Sequence, residues 1–213
     1  MASYPLGYPD APWRLRGQLW VSLFRVTEDA GRTPGRAPGR PAGLYGAAFV
    51  SYEPGSDLTY SELLVARPVG AGPRVEILDI WVDSPASRAG GRELWAIPKE
   101  LADFGLDTRH TGPLSRTEWT ARVPTGSVGR RAVATARFTD ASRAGVRLPL
   151  RGGTRQPPLA PGGRPVTAAV TGSAKVLPGR GHWDFDADGP LGWLRGARQL
   201  GSFRLCDFRL SFG

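Results

Sequence analysis

The chain has 213 residues, 40% of them apolar, enough for a real core and fitting one domain over 1–213. Its +9 charge is scattered among Gly, Pro and acidic positions with no block of five or more basic residues, which argues against a nucleic-acid binder and for a solvated surface. No apolar run approaches the ~18 residues that span a bilayer, the start "MASYPLGYPDAPW" has no basic-then-apolar leader, and the lone Cys206 rules out an intrachain disulfide.

Period two dominates the pattern. In "WRLRGQLWVSLF" (13–24), Trp13, Leu15, Leu19, Val21 and Leu23 share one face and Arg14, Arg16, Gln18, Trp20 and Ser22 take the other, so both faces of this strand are usable. A Pro-Gly-Arg-rich stretch over 28–43 reads as a flexible loop, followed by strands over 44–52, 59–69 and 74–82. Ser84 as N-cap, Pro85 at the first helical position and Gly90 and Gly91 as a stop predict a short helix over 84–91. A further turn or two of helix is expected over 98–105, opened by Pro98 and closed by Gly105. Strands follow at 116–123, 130–138 and 145–150, a second flexible loop at 151–165, and a strand at 165–176. A third helix is expected at 189–200, and a last strand at 201–212 carries Cys206 as a buried residue. Many strands with Gly/Pro punctuation make the fold mostly β, a barrel or sandwich with a few short helices.

Several chemistries lack their residues. One cysteine and two distant histidines, His110 and His182, with no HExxH or CxxC spacing, do not make a zinc site. No GxSxG elbow, GxGxxG turn or phosphate-binding loop occurs. What stands out is lysine: all but two of the 28 basic residues are arginines, and only Lys99 and Lys175 are lysines. Arginine cannot lose its proton near neutrality, whereas a lysine can be made to. An unperturbed lysine is only roughly 0.04% neutral amine at pH 7, and burial would lower its pKa. Lys99 lies in "ELWAIPKELADF" (93–104), with Trp95, Ile97, Leu101 and Phe104 as candidate walls of an apolar pocket. At a helix start it would also meet unpaired backbone N–H groups that disfavour a cation.

"GGRELWAIPKELADF" (90–104) resembles the signature segment of the acetoacetate decarboxylase family, in which a Gly-Arg-Glu run leads through an aromatic and a proline to a Schiff-base lysine. The opening "PWRLRG", the strand "YSELLVA" and the closing "CDFRLSFG" resemble further pieces, so the likeness covers most of the chain. The resemblance implies a curved, mostly antiparallel β-barrel or cone enclosing an apolar cavity, with Lys99 projecting inside. It implies a cofactor-independent lyase in which Lys99 forms an iminium with a β-keto acid, Glu62 handles the proton or orients the adduct, and a small-molecule carbonyl substrate is the partner. Arg92 and Glu93 match the signature and are expected to form an ion pair holding the lysine loop. Two positions depart from the family. Gln18 stands where an arginine on the first strand acts on the substrate carboxylate, with Arg16 nearby as a substitute, and Glu100 stands where the prototype has a second lysine. Gln18, Arg16, Trp20 and Trp95 are thus the candidate substrate-binding residues; Trp20, Phe49 and Trp81 are candidates to line the cavity, with core packing the favoured role for each. The alternatives are an aldolase, dehydratase or cyclase using the same iminium, or a non-catalytic barrel that binds an apolar ligand. A cytoplasmic protein is expected, with neither nucleic acid nor membrane as partner and with homo-oligomerisation allowed.

Overall fold

The computed structural model describes residues 7–27, 40–125, 129–141 and 145–213. One sheet takes eleven strands: β1 (Trp13–Val26), β2 (Gly43–Tyr52), β3 (Tyr60–Pro68), β4 (Arg74–Val82), β5 (Lys99–Leu101), β6 (Asp103–Thr111), β7 (Leu114–Thr125), β8 (Gly129–Ala141), β9 (Val146–Gln156), β10 (Val166–Phe185) and β11 (Arg198–Phe212). A single α-helix among the described residues, α1 (Pro85–Trp95), links β4 to β5.

β1 to β4 run as an antiparallel meander. β4 meets β9 through a short parallel pairing, Arg74 with Gly153 and Val75 with Thr154. β9, β10, β11 and β1 then pair antiparallel in turn, which brings the sheet round into a ring. β10 is 20 residues long, and its last part, Gly179–Phe185, leaves the ring to pair with β8, which continues through β7 to β6. The fold is therefore mostly β, a curved sheet with one short helix, as expected.

Because the strands bury both faces, there are two apolar cores. Trp20, Phe49, Leu63 and Trp81 pack with Trp119 and Trp183 between the ring and the β6–β8 wing. Trp13, Leu15, Val50, Ile80, Phe208 and Ala174 pack on the other face, inside the ring, where Trp95 and Ile97 join them. Paired residues on neighbouring strands project to the same side and adjacent residues to opposite sides, so register alone assigns each side chain to a core.

Five expectations are corrected. α1 does not stop at Gly90 and Gly91 but runs through them to Trp95 and ends at Ala96 in the left-handed conformation (φ 53°), although each mid-helix glycine costs about 1 kcal/mol relative to alanine. Residues 98–105 are not helical: Lys99–Leu101 pairs parallel with β4 and Asp103 begins β6. Strand pairing to an existing sheet edge outweighs the weak local helix signal. Around 189–200 only a 3-10 turn forms, Gly192–Leu194. Of the two expected loops, 28–39 lies outside the described residues, and Arg151–Gln156 continues β9 instead of forming a loop. Cys206 is half-buried, not buried. Among the described residues no helix is long and apolar enough to cross a membrane.

Candidate active site

Lys99 opens β5, and its Cα is paired with Ile80, so its side chain projects from the same sheet face as Leu64 and Glu62 on β3. The residue is 4% exposed, whereas the other lysine, Lys175, is exposed. Nζ donates to three oxygens: Glu62 Oε2 at 2.9 Å, Ser87 Oγ at 2.9 Å and Tyr60 OH at 3.3 Å. These match the three donors of an ammonium group. The Tyr60 ring lies 5.0 Å and the Trp13 ring 5.9 Å from the nitrogen, each within range of a cation–π attraction.

Each partner is placed by local sequence. Tyr60 and Glu62 are two apart on β3, so both face the amine. Tyr52, paired with Tyr60 across β2 and β3, stacks on it with 4.3 Å between ring centroids and donates from its hydroxyl to Glu62 Oε1 at 3.1 Å. Both oxygens of the buried carboxylate are thereby satisfied. Ser87 sits in the first turn of α1, where Ser84 caps the helix by accepting from the Ser87 N–H at 3.1 Å. The amine therefore does lie near a helix N-terminus, but that of α1 and not of a helix beginning at Pro98.

Two glycines let α1 approach. A Cβ at Gly91 would come 2.7 Å from Lys99 Cδ, and one at Gly90 would come 2.6 Å from Trp13 Cζ2 and 2.8 Å from Tyr8 Cδ2. On the outer side, Arg92 Nη1 donates to the Lys99 carbonyl at 3.1 Å and to Glu100 Oε1 at 2.9 Å, and Arg88 reaches Glu100 Oε2 at 3.4 Å. Glu100 therefore points away from the amine, because strand alternation turns it over. The ion pair beside the lysine is Arg92 with Glu100, not Arg92 with Glu93.

Burial acts against the charge on Lys99, but the Glu62 carboxylate and Tyr60 outweigh it, and the lysine pKa is held above its ordinary value. The expectation of a lowered pKa is thus overturned for the resting site. Burial, with Glu62 adding to it, pushes the Tyr52 hydroxyl well above the usual phenol range. The Tyr60 hydroxyl is raised too, by burial, with Lys99 pulling the other way.

The structure brings Lys99 and Glu62 together and does not bring the other candidates to them, Trp95 excepted as a wall. Trp95 is buried in the inner core, edge-on to Trp13 at 4.7 Å. Ile97 is buried there as well, but Leu101 is 43% exposed and Phe104 packs on the outer core. Gln18 and Trp20 pair with Ser51 and Phe49, one residue out of phase with the Leu19–Val50–Glu62 row, so they face the opposite side of the sheet. There Gln18 donates to Glu53 Oε1 at 2.6 Å and accepts from Arg204. Arg204 also pairs with Asp140 at 3.0 Å and stacks over Trp20 at 4.9 Å. Arg16 is exposed against the Gly55 turn. Tyr60 and Ser87 were missed; the i, i+2 spacing from Glu62 could have found Tyr60, but only the docking of α1 reveals Ser87. Among the described residues no group of three or more His, Cys, Asp or Glu could hold a metal ion.

The sequence model of the family described as acetoacetate decarboxylase (ADC) matches residues 38–176. None of the curated proteins matches the chain in sequence. Among solved structures, the enduracididine biosynthesis enzyme MppR, complexed with the condensation product of pyruvate and imidazole 4-carboxaldehyde, is 20% identical with a TM-score of 0.60, covering 97% of this chain and 88% of its own. Acetoacetate decarboxylase from Legionella pneumophila subsp. pneumophila str. Philadelphia 1 is 16% identical with a TM-score of 0.60, over 99% of this chain and 88% of its own. A further acetoacetate decarboxylase structure gives 16% and 0.62, over 100% and 92%. At these identities the structures share the fold.

Proposed function

The chain belongs to the acetoacetate decarboxylase family, and on that premise we propose that it is a cofactor-independent Schiff-base lyase whose amine is Lys99, acting on a β-keto acid. The observation that carries this reading is the buried Nζ 2.9 Å from Glu62 Oε2. In the resting site the proton is on Nζ, donated toward that carboxylate. Moving it from Nζ to the carboxylate leaves a neutral amine and a neutral acid, which removes two buried charges at once, so burial favours the very step that activation needs. A raised lysine pKa toward bulk solvent is compatible with this internal transfer.

The neutral amine adds to the substrate ketone, forming the C–N bond, and water leaves to give the iminium. The bond to the carboxylate then breaks, CO2 departs, and its electron pair flows to nitrogen as an enamine. Glu62, a carboxylate again once its proton has left with the hydroxyl as water, takes up a proton from solvent and is placed to deliver it to the enamine carbon, and water releases the ketone and restores Lys99 as the ammonium. No cofactor enters the scheme because the iminium is itself the electron sink.

One observation favours a second reading, an aldolase, dehydratase or cyclase using the same iminium. The oxygens of Glu62, Tyr60 and Ser87 surround the amine, while Gln18 and Arg204 bond each other on the opposite face and Arg16 is exposed, so none of these supplies a cation for a substrate carboxylate. Incubation with acetoacetate, pyruvate and larger keto acids, followed by borohydride reduction and mass mapping, separates the two. An adduct on Lys99 with CO2 release is expected. An adduct without CO2 selects the second reading. No adduct, or equal trapping in Lys99→Gln, overturns both.

A further inference from the structure

Lys99 does not stand alone on its sheet face. Register places it in one row with Ile80, Leu64, Ala48 and Val21, running across β5, β4, β3, β2 and β1. The near end of this row is the amine, and the far end opens into an apolar cavity of about 270 Å³ lined by Leu19, Val21, Leu23, Leu64, Ala66 and Val75. Strands lie about 4.8 Å apart, so Leu64 stands roughly 10 Å from the Lys99 backbone and one residue pair along β3 from Glu62. The floor of the cavity is Gly46, set in regular register with Leu23 and Ala66 and so not part of a bulge. A Cβ there would meet Leu23 Cδ2 and Val21 Cγ2 at 3.8 Å, ordinary contact distance, so the missing side chain leaves space that the fold does not need. A glycine inside a strand often marks a place where a ligand approaches closely. Among its lining residues Leu44 is 37% exposed.

We propose that this cavity seats the apolar tail of the substrate, so that the carbonyl compound condensing with Lys99 carries an alkyl or aryl chain extending over Leu64 toward Gly46, and is not a molecule as small as acetoacetate. The inference rests on the Schiff-base reading of Lys99. The cavity's volume falls just below that of whole-ligand pockets, which begin at about 300 Å³, and so suits a tail instead of a whole large ligand.

The test uses two homologous series, 2-butanone to 2-nonanone for borohydride trapping at Lys99 and the matching 2-alkanols, which form no imine, for calorimetric binding. Both should tighten by up to roughly fourfold per added methylene until the cavity is full. Gly46→Leu should flatten both series, and Gly46→Ala, the milder filling, should flatten them partly. Ketones trapped at Lys99 with no dependence on length, or a dependence that Gly46→Leu leaves unchanged, overturn the tail seat and leave the Schiff-base reading standing. Length-dependent alcohol binding with no ketone trapped does the reverse. Series already flat in the unsubstituted protein, with Gly46→Leu changing its mass in sedimentation, assign the cavity to a second copy of the chain and also overturn the proposal.

Discussion

Lys99 is held by three oxygens from two elements, β3 and α1, and its chemistry depends on which of them carries charge. Its folded pKa is raised, so the stabilisation from pairing is complete below the ordinary lysine value of about 10.4 and fades as the pH climbs through the higher folded value. Chemical denaturation should therefore show this part of the stability intact at neutral pH and lost only in strongly alkaline solution. Glu62→Gln removes the countercharge and leaves only Tyr60 to oppose burial. The variant should lose about 3–5 kcal/mol at pH 7, as expected for breaking a buried pair, and the alkaline fade should vanish. Competitive acylation offers a second measure, with the exposed Lys175 as internal reference. Lys99 should become more reactive relative to Lys175 near neutrality in Glu62→Gln, while turnover falls roughly 10²- to 10⁴-fold because the proton carrier is gone. Unchanged relative labelling would show that Glu62 does not control the amine.

At the level of elements, α1 is the piece that closes the site, and its two interior glycines have different neighbours. Gly91 faces the flexible stem of Lys99, so a methyl there can be accommodated by moving the lysine. Gly91→Ala should reduce imine trapping strongly with a modest loss of stability. Gly90 faces the rigid rings of Trp13 and Tyr8, which cannot yield as easily. Gly90→Ala should destabilise by about 1–3 kcal/mol, the usual range for overpacking. Melting curves and trapping measured on both variants check the contrast. β5 is equally specific. Its three residues keep Lys99 inward and Glu100 outward, and the Arg92 bonds to the Lys99 carbonyl and the Glu100 carboxylate hold that phase. The ion pair is exposed and adds little stability by itself; its effect is on geometry.

Across the whole molecule, the sheet separates two polar clusters that share no side chain. One is the amine with its oxygens inside the ring. The other is the network of Gln18, Glu53, Arg204 and Asp140 on the opposite face. Arg204 and Asp140 are both nearly buried, and Arg204→Met should cost about 3–5 kcal/mol by leaving the carboxylate without its partner. Trapping at Lys99 by a carbonyl compound should be unaffected in the folded fraction. A loss of trapping in proportion to more than the unfolded fraction would show that the two faces communicate.

Several features were legible in the residues themselves. Period-two alternation located nine of the sheet's eleven strands, because successive side chains on a strand point to opposite faces that differ in environment. The scarcity of lysine and the segment around Lys99 singled out the amine, and "YSEL" supplied Glu62. Residues 98–105, which hold β5 and the start of β6, read as helix, since a short segment carries little local preference and its partner strand lies elsewhere in the chain. Alternation also fails to say which face looks inward, so Gln18 and Trp20 could be assigned to the amine when register puts them on the other side. The charge state of Lys99 was the hardest to foresee. Burial alone predicts a lowered pKa, and only the convergence of β3, α1 and β5 brings a carboxylate to 2.9 Å and reverses the sign. The sequence by itself determined which residues could react and that they would ride on strands; tertiary structure decided which of them meet, because distance and desolvation belong to neighbours in space and not to neighbours in the chain.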